Sequence, residues 1–263
     1  MPRTATGESS IARAVRIIAA LTPNDTSLHV SEIARRTGLP VATTSRLVAE
    51  LTAHGLLQRG PDREVQVGVR LWELAARASP TRSLREAALP YMEDVHAVVG
   101  HHVQLGLLDG DDVLFVERLT ARRAVVNYTS IAGRLPPHIS SSGHVLLAFS
   151  PPELQDRVLA RPLRRYTEHT ITSPEILRAA LTETSHRGYA IVAGHAHEDA
   201  TGVAVPVRDK LTRVVAALSV IVPNDGNAHV HVPVLLAAAR GISRSLHVPR
   251  DSVRANGIAH APY

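Results

Sequence analysis

Histidine is the residue whose number and spacing in this chain most directly suggest chemistry. The 263 residues include 15 histidines, and two of them, His195 and His197, stand next to two acidic residues. In a β-strand, residues i and i+2 face the same side, so His195 and His197 could ligate one metal ion together. The pairs at 101–102 and 229–231 are similarly spaced. One hypothesis is therefore a metal-dependent hydrolase that uses the His195/His197 cluster.

The motifs that normally accompany such chemistry are absent from the sequence. The chain has no cysteine, which excludes disulfides, thiolate metal ligands and a cysteine nucleophile. HExxH, GxGxxG and P-loop patterns do not occur, and Ser142-Gly143-His144 lacks the preceding glycine of a nucleophile elbow. We therefore expect the clustered histidines to lie in surface loops, with no metal or other cofactor. We also expect that the protein is not an enzyme.

The composition is that of a globular chain with a mild basic excess. Hydrophobic residues make up 44%, and no apolar run approaches the roughly 18–20 residues that cross a bilayer. The N-terminus is polar, so we expect a cytoplasmic protein. The net charge of +5 is concentrated in residues 1–78, which carry ten basic and seven acidic residues. This excess permits nucleic-acid binding, whereas the 3% aromatic content disfavours base stacking on single strands or RNA.

The N-terminal part predicts two helices joined by a short glycine-centred turn. Ser31 is suited to cap the first helix, Gly38 to end it in the left-handed conformation, and Pro40 to open the second. The second helix, about 41–54, has an apolar stripe and a small, polar, basic first half. This arrangement is typical of a helix-turn-helix, whose second helix enters a major groove about 12 Å wide.

A hairpin and a further helix complete this part of the chain. Strands at 56–57 and 65–67 flank a Gly-Pro-Asp turn and predict a wing. An amphipathic helix at 69–78 follows and ends at Ser79-Pro80, where we place the domain boundary.

The rest of the chain predicts a mixed α/β domain. Helices are predicted at 84–99 and 145–149, in a short segment that begins with a cap at Ser150, from Ser173 to 187, and at 232–246. Strands are predicted at 102–108, 113–119, 124–130, 189–193, 202–207 and 214–222, with a small-residue loop at 137–143. The tail at 249–263 shows no strong pattern, so we expect it to be disordered.

Several short phrases in this order resemble the IclR family of bacterial transcription regulators. They are SEIARRTGLP (31–40), SRL (45–47), HGL (54–56), GRLPPH (133–138), RRYT (164–167), TIT (170–172), RGY (187–189), AVPVRD (204–209) and VVAALSV (214–220). The helix-turn-helix phrase alone is moderately specific, whereas the ordered series over about 10–245 is highly specific.

The resemblance implies an α+β fold and a regulatory function. It implies a winged helix-turn-helix DNA-binding domain with a linker helix over 1–78, and a GAF-like α/β effector-binding domain over 79–248. The implied partners are double-stranded operator DNA, a small organic effector, and further copies in a homodimer or a dimer of dimers (a homotetramer). We expect a ligand-responsive repressor. A DNA-binding protein without an effector is the remaining alternative.

The predicted DNA contacts centre on the second helix of the motif. They are Ser31, Pro40, Val41, Ala42, Thr43, Ser45, Arg46, Arg59 and Arg63. Arg46 is the strongest candidate, because a guanidinium can bind either a phosphate or guanine O6 and N7. Thr44 falls on the inner side of the helix by its period, so we expect it to pack. Arg59 and Arg63 on the wing are either phosphate contacts or unpartnered surface charge.

The resemblance also implies the effector site, carried over residue by residue. The site residues are Ser140, Ser141, Ser142, Val192, Gly202, Ser219 and Ile221. Family members that respond to glyoxylate or pyruvate have Asp, Cys and Ser at the positions of Val192, Gly202 and Ile221. We therefore expect a less polar pocket that is roomier at Gly202, and a larger, partly apolar acid or lactone as effector. Alternatively, the serines only satisfy a helix start and the apolar residues are core.

The resemblance gives His195 and His197 a second interpretation. It places both at the mouth of the implied pocket. There they could contact an anionic effector or a bound metal ion.

Overall fold

The computed structural model describes residues 8–22, 25–77, 79, 81–121 and 131–246. The chain divides into two compact units, one ending at Pro80 and the other beginning at Thr81. The predicted strand at 124–130 and the predicted disordered tail at 249–263 lie outside the described residues. In the part that is described, no helix is both long and apolar enough to cross a membrane.

The first unit is a winged helix. Its helices are α1 (Ser10–Ala19), α2 (Val30–Thr37), α3 (Val41–Ala53) and α4 (Val69–Arg77), and its strands are β1 (Ser27–Leu28), β2 (Leu57–Arg59) and β3 (Val65–Val67). The strands form an antiparallel sheet in the order β1-β3-β2. Ile17, Ile33, Val48, Leu57 and Val65 come from five different elements and are fully buried in one core. The strand β1 was not predicted, because two residues are too few to show a strand period.

The turn between α2 and α3 confirms one prediction and corrects two. Gly38 ends α2 in the left-handed conformation, with φ of +66°. Ser31 is not the N-cap, because α2 begins one residue earlier, at Val30, and His29 occupies the cap position without a side-chain hydrogen bond. Pro40 precedes α3 as its N-cap residue instead of occupying the first helical position.

The second unit contains a six-stranded antiparallel sheet between layers of helices. Its helices are α5 (Arg82–Val99), α6 (Ser141–Ala148), α7 (Pro152–Leu159), α8 (Pro174–Arg187) and α9 (Val232–Ser245). Its strands are β4 (His102–Asp109), β5 (Asp112–Leu119), β6 (Arg134–Leu135), β7 (Ala190–Ala193), β8 (Ala200–Arg208) and β9 (Val214–Pro223). The strand order is β6-β5-β4-β9-β8-β7.

The alternation of side chains along the strands separates two faces of the sheet. On β9, Leu218 and Val220 join the core formed with α5 and α9. Ala217 belongs to the opposite face, which packs against α6, and Ser219 accepts a hydrogen bond from that helix. The predicted α+β architecture, a winged helix followed by a sheet flanked by helices, is confirmed.

The helix α6 begins four residues earlier than predicted, and this shortens the small-residue loop. Ser140 is its N-cap, and the Ser140 Oγ accepts a hydrogen bond from the Gly143 N–H at 3.0 Å. A Cβ at Gly143 would lie 2.2 Å from the Pro137 carbonyl oxygen, so only glycine permits this approach of the preceding turn. Ser150 does not cap α7, because its hydroxyl donates to the Leu147 carbonyl of the preceding helix.

Candidate DNA-binding surface and effector pocket

The first half of α3 presents the side chains that the sequence predicted for DNA contact. Six of the predicted contacts lie between positions 40 and 46. Thr43 is half-buried, and the other five are exposed: Pro40, Val41, Ala42, Ser45 and Arg46. The opposite face places Leu47, Val48 and Leu51 in the core. Thr44 is fully buried, as predicted, and its hydroxyl donates to the Pro40 carbonyl.

The Arg46 side chain is held only weakly. Its Nη1 lies 3.5 Å from Glu50 Oε2, and the two side chains are 64% and 58% exposed. An exposed i,i+4 pair of this kind contributes about 0.3–0.5 kcal/mol, so the guanidinium can leave Glu50 for a nucleic acid at little cost.

The helix α2 differs because its arginines are already paired. Arg35 and Arg36 both donate hydrogen bonds to the Glu32 carboxylate, and Arg36 also reaches Asp25 at 2.9 Å. These two guanidinium groups lower the pKa of Glu32 to about 2. Ser31 is exposed in the first turn of the same helix.

The wing carries the other predicted cations. Arg59 is exposed on β2, and Arg63 is exposed in the turn with φ of +59°. The Arg59 Nη1 lies 3.5 Å from the Arg63 carbonyl oxygen. The structure therefore places both side chains at the tip of the wing.

A pocket between α6 and the sheet brings most of the predicted effector residues together. The space between its atoms is about 510 Å3, open solvent at the mouth included. The lining residues are Gln104, Phe115, Leu135, Ile139, Ser140, Ser141, Ser142, Val192, Ala196, His197, Ala200, Gly202 and Ile221. Of the seven predicted residues only Ser219 does not line it, and Ser219 accepts a 2.9 Å hydrogen bond from Ser142 Oγ directly behind the wall.

The N-terminus of α6 gives this pocket a place for an anion. The first N–H groups of a helix have no partner within the helix. Here the Gly143 N–H is bonded to Ser140 Oγ and the His144 N–H to the Ser140 carbonyl. Among the described residues, the N–H groups of Ser141 and Ser142 have no such partner. These N–H groups and the helix dipole favour a carboxylate.

The remaining walls are mostly apolar, and sequence reasoning missed several of them. Phe115, Leu135 and Ile139 were not predicted. Phe115 comes from β5, which is distant in sequence, whereas Leu135 and Ile139 lie within five residues of Ser140. Gln104 was also missed, although a polar residue within the apolar run of β4 was a usable signal. Gln104 is 1% exposed and pairs with Ser219 across β4 and β9.

The prediction that the pocket is roomier at Gly202 is wrong. A Cβ at Gly202 would lie 2.6 Å from Ser141 Oγ and 3.4 Å from Ile221 Cδ1. The missing side chain therefore lets α6 approach β8 and does not enlarge the pocket. The predicted lower polarity agrees with the lining, in which Val192 and Ile221 face the cavity.

His195 and His197 do not have the arrangement that the metal-site hypothesis requires. Strand β7 ends at Ala193, so His195 and His197 lie in a turn and do not share a strand face. His197 lines the pocket, whereas the His195 ring packs 6.0 Å from the His144 ring. Across the described segments, no three His, Cys, Asp or Glu residues are grouped to hold a metal ion.

The expectation that the clustered histidines lie at the surface is wrong at His102, which is 3% exposed on β4. Two histidines outside the clusters, His138 and His144, are also buried, each 4% exposed. His138 Nε2 bonds the Arg164 carbonyl and His144 Nε2 bonds the His138 carbonyl. Burial lowers the pKa of His138 and His195, and lowers that of His144 from 6.5 to about 4.

We expect stability to fall in acid because these histidines are buried in the neutral form. The folded state takes up a proton at His144 less readily than the unfolded state. The contribution of neutral His144 to the free energy of unfolding is therefore lost as the pH falls from about 6.5 towards 4. The loss at His144 alone is about 3 kcal/mol when complete. Urea unfolding at a series of pH values measures it. His144→Gln should flatten the pH dependence, whereas His186→Gln, at an exposed site on α8, should not. An unchanged slope in His144→Gln would contradict the assignment.

Comparisons with known proteins agree across both units. The IclR helix-turn-helix domain matches residues 10–61, and the C-terminal domain of the bacterial transcriptional regulator IclR matches residues 77–247. The HTH-type transcriptional regulator XynR of Escherichia coli is 29% identical over 212 residues, covering 80% of this chain and 84% of XynR. The transcriptional repressor IclR of Escherichia coli is 26% identical over 190 residues, covering 70% of this chain and 69% of that protein.

A solved structure is more similar still. It is an IclR homolog from Microbacterium hydrocarbonoxydans complexed with 4-hydroxybenzoate. It is 43% identical, covers 90% of this chain and 99% of its own, and superposes with a TM-score of 0.87. The matched family consists of transcription regulators and not of enzymes, so the hydrolase alternative is wrong.

Proposed function

Since the chain belongs to the IclR family of bacterial transcription regulators, we propose that it represses its target genes until an aromatic carboxylate fills the pocket. The chain is a ligand-responsive, DNA-binding regulator. The observation that carries the choice of ligand is the pocket itself, in which the N-terminus of α6 meets apolar walls. In this proposal residues 1–78 bind DNA and residues 79–248 bind the effector. We also propose that the protein acts in the cytoplasm, where its DNA target would lie.

The proposed DNA contact is made by α3 and the wing. The exposed residues from Pro40 to Arg46 enter the major groove, with Arg46 on a guanine or a phosphate. Ser31, Arg59 and Arg63 contact the backbone, where they position the domain without reading sequence.

The proposed effector is 4-hydroxybenzoate or a closely similar acid. The 43% identical Microbacterium homolog was solved with this ligand. Here the carboxylate would accept hydrogen bonds from the backbone N–H groups of Ser141 and Ser142. The ring would pack on Phe115, Val192 and Ile221. A two- or three-carbon oxo acid would leave these apolar walls uncovered.

Titration of a protein–DNA complex tests the proposal. The full-length chain is bound to a labelled duplex from upstream of its own gene at two salt concentrations, and 4-hydroxybenzoate, glyoxylate and pyruvate are added separately. We expect salt-sensitive binding and release by 4-hydroxybenzoate alone. Because the linkage is reciprocal, DNA should weaken 4-hydroxybenzoate binding by the same factor. Release by glyoxylate or pyruvate would contradict the effector class, and DNA binding that no acid changes would favour a regulator without an effector.

We further propose that the protein binds DNA as a homodimer, which can pair into a tetramer. The first unit exposes large apolar side chains on α1 and α4: Ile11 (77%), Val15 (60%), Val69 (62%), Trp72 (67%) and Leu74 (48%). We propose that these side chains form the dimer interface, because apolar patches exposed on one subunit are typically buried by a partner. A twofold symmetric dimer would present two copies of α3 to the two halves of a palindromic operator.

The substitution Trp72→Glu should shift the protein towards the monomer. It places a charge on the largest exposed apolar side chain, which a dimer would bury. Sedimentation equilibrium measures the change in mass. Ile176→Glu is the control, since Ile176 is 58% exposed on α8, outside the proposed surface, and should leave the mass unchanged. A mass that Trp72→Glu leaves at the wild-type value would rule out this surface.

A further inference from the structure

A second concavity lies at the opposite end of α6 from the effector pocket. We call it the α6–β9 groove and define it by Leu108, Leu146, Phe149, Leu154, Arg208 and Val214. The space between its atoms is about 1080 Å3, open solvent included. Along α6, Leu146 of the groove lies four residues, about 6 Å, from Ser142 of the first pocket. The two sites therefore share one helix but no lining residue.

The groove holds one half-buried guanidinium in a fixed position. Arg208 stacks on the Phe149 ring, with Cζ 4.7 Å from the ring centroid. Its Nη1 donates to the Thr212 carbonyl at 2.8 Å, and its backbone N–H donates to Ser243 Oγ. Because the side chain is already ordered, a ligand that binds it does not bear the entropic cost of immobilising it.

Arg208 has no acidic partner among the residues that the structure describes, whereas its neighbour does. Arg213 also borders the groove, but its Nε and Nη2 both donate to Asp209 Oδ2 at 2.9 and 2.7 Å. That carboxylate neutralises Arg213. The positive charge that Arg208 contributes to the groove is not neutralised in this way.

We propose that the α6–β9 groove binds a second ligand, a monocarboxylate with an apolar body about the size of an aromatic ring. The unused guanidinium N–H groups of Arg208 can form two parallel hydrogen bonds to a carboxylate. The leucines and Val214 accommodate the apolar body. A phosphate dianion would need more positive charge than one arginine supplies, and a neutral ligand would leave the Arg208 charge without a partner.

Stoichiometry tests this site separately from the first pocket. Benzoate binding to the protein is measured by equilibrium dialysis for the wild type, Arg208→Gln, Arg187→Gln, Val192→Asp and the double variant Val192→Asp/Arg208→Gln. We expect two benzoate molecules per chain in the wild type and in Arg187→Gln. We expect one in each of Arg208→Gln and Val192→Asp, and none in the double variant. Arg187→Gln is the matched control, because it removes an exposed arginine on α8 that pairs with Glu183 and lines neither site.

The outcomes separate the two proposals. Binding of two benzoate molecules by Arg208→Gln would overturn the second site. So would binding of one benzoate molecule by the wild type, if only Val192→Asp removes it. One molecule in Arg208→Gln together with two in Val192→Asp would support the groove and contradict the first pocket instead. Leu154→Glu places a like charge in the groove and leaves Arg208 in place, so it should also remove one molecule. This variant keeps the test decisive if Arg208→Gln does not fold.

Discussion

The substitution Arg46→Ala should weaken operator binding at least thirtyfold. A guanidinium that binds guanine O6 and N7 contributes about 1–3 kcal/mol to the preference for the correct base. The proposed homodimer would use two copies, so the expected loss is about 2–6 kcal/mol. The folded state should tolerate the change, because Arg46 is 64% exposed and only weakly paired with Glu50. Fluorescence anisotropy with the operator duplex and with a scrambled duplex measures the loss.

The control for this result is Arg187→Ala. Arg187 is also an exposed i,i+4 partner of a glutamate, Glu183, but it lies on α8 in the second unit. The Arg187→Ala variant should bind the operator with the affinity of the wild type. A fall that is large on the operator and small on the scrambled duplex would assign Arg46 to a base. Equal falls on both would assign it to the phosphate backbone, and no fall on either would remove it from the interface.

The substitution Val192→Asp should abolish the response to the aromatic acid. Val192 is 4% exposed and lines the effector pocket. In the proposed complex the ring of the ligand packs on Val192, so a carboxylate at this position would be buried and poorly solvated against that ring. We expect effector affinity to fall more than a hundredfold, about 3 kcal/mol or more. The measurement is the concentration of 4-hydroxybenzoate that releases half of the bound operator.

Ile191→Asp is the matched control, because neighbouring strand residues face opposite sides of the sheet. Ile191 is 39% exposed and does not line the pocket. The Ile191→Asp variant should release the operator at the same 4-hydroxybenzoate concentration as the wild type. Circular dichroism checks that the Val192→Asp variant is folded. A folded variant with a wild-type response would place the effector elsewhere.

The DNA-binding unit was largely predictable because its signals are local. Helix period placed α3 within one residue of its observed end, and Gly38 is the residue that ends α2. The same period separated buried Thr44 from exposed Arg46. The cap at Ser31 failed, because the first residue of a helix depends on the geometry of the preceding chain and not on capping preference alone.

The effector site was predicted in part, through resemblance and not through local pattern. Six of the seven predicted residues line the cavity. Phe115 and Gln104 were missed, because strand pairing brings β4 and β5 to β9 over a long stretch of chain. Strand pairing of this kind leaves no periodic signal in the sequence. The error at Gly202 has the same origin, since the space beside a glycine depends on its neighbour, here Ser141.

The sequence by itself determined the family, most of the helices and the exposed face of α3, because helix period, turn residues and short motifs are properties of neighbouring residues. Only the tertiary structure decided which groups share a site. Arg208 and Arg213 are the same residue type five positions apart. The fold gives Arg213 the Asp209 carboxylate and places Arg208 on the Phe149 ring. The charge that each arginine offers to a ligand depends on these contacts, which residue type and spacing do not specify.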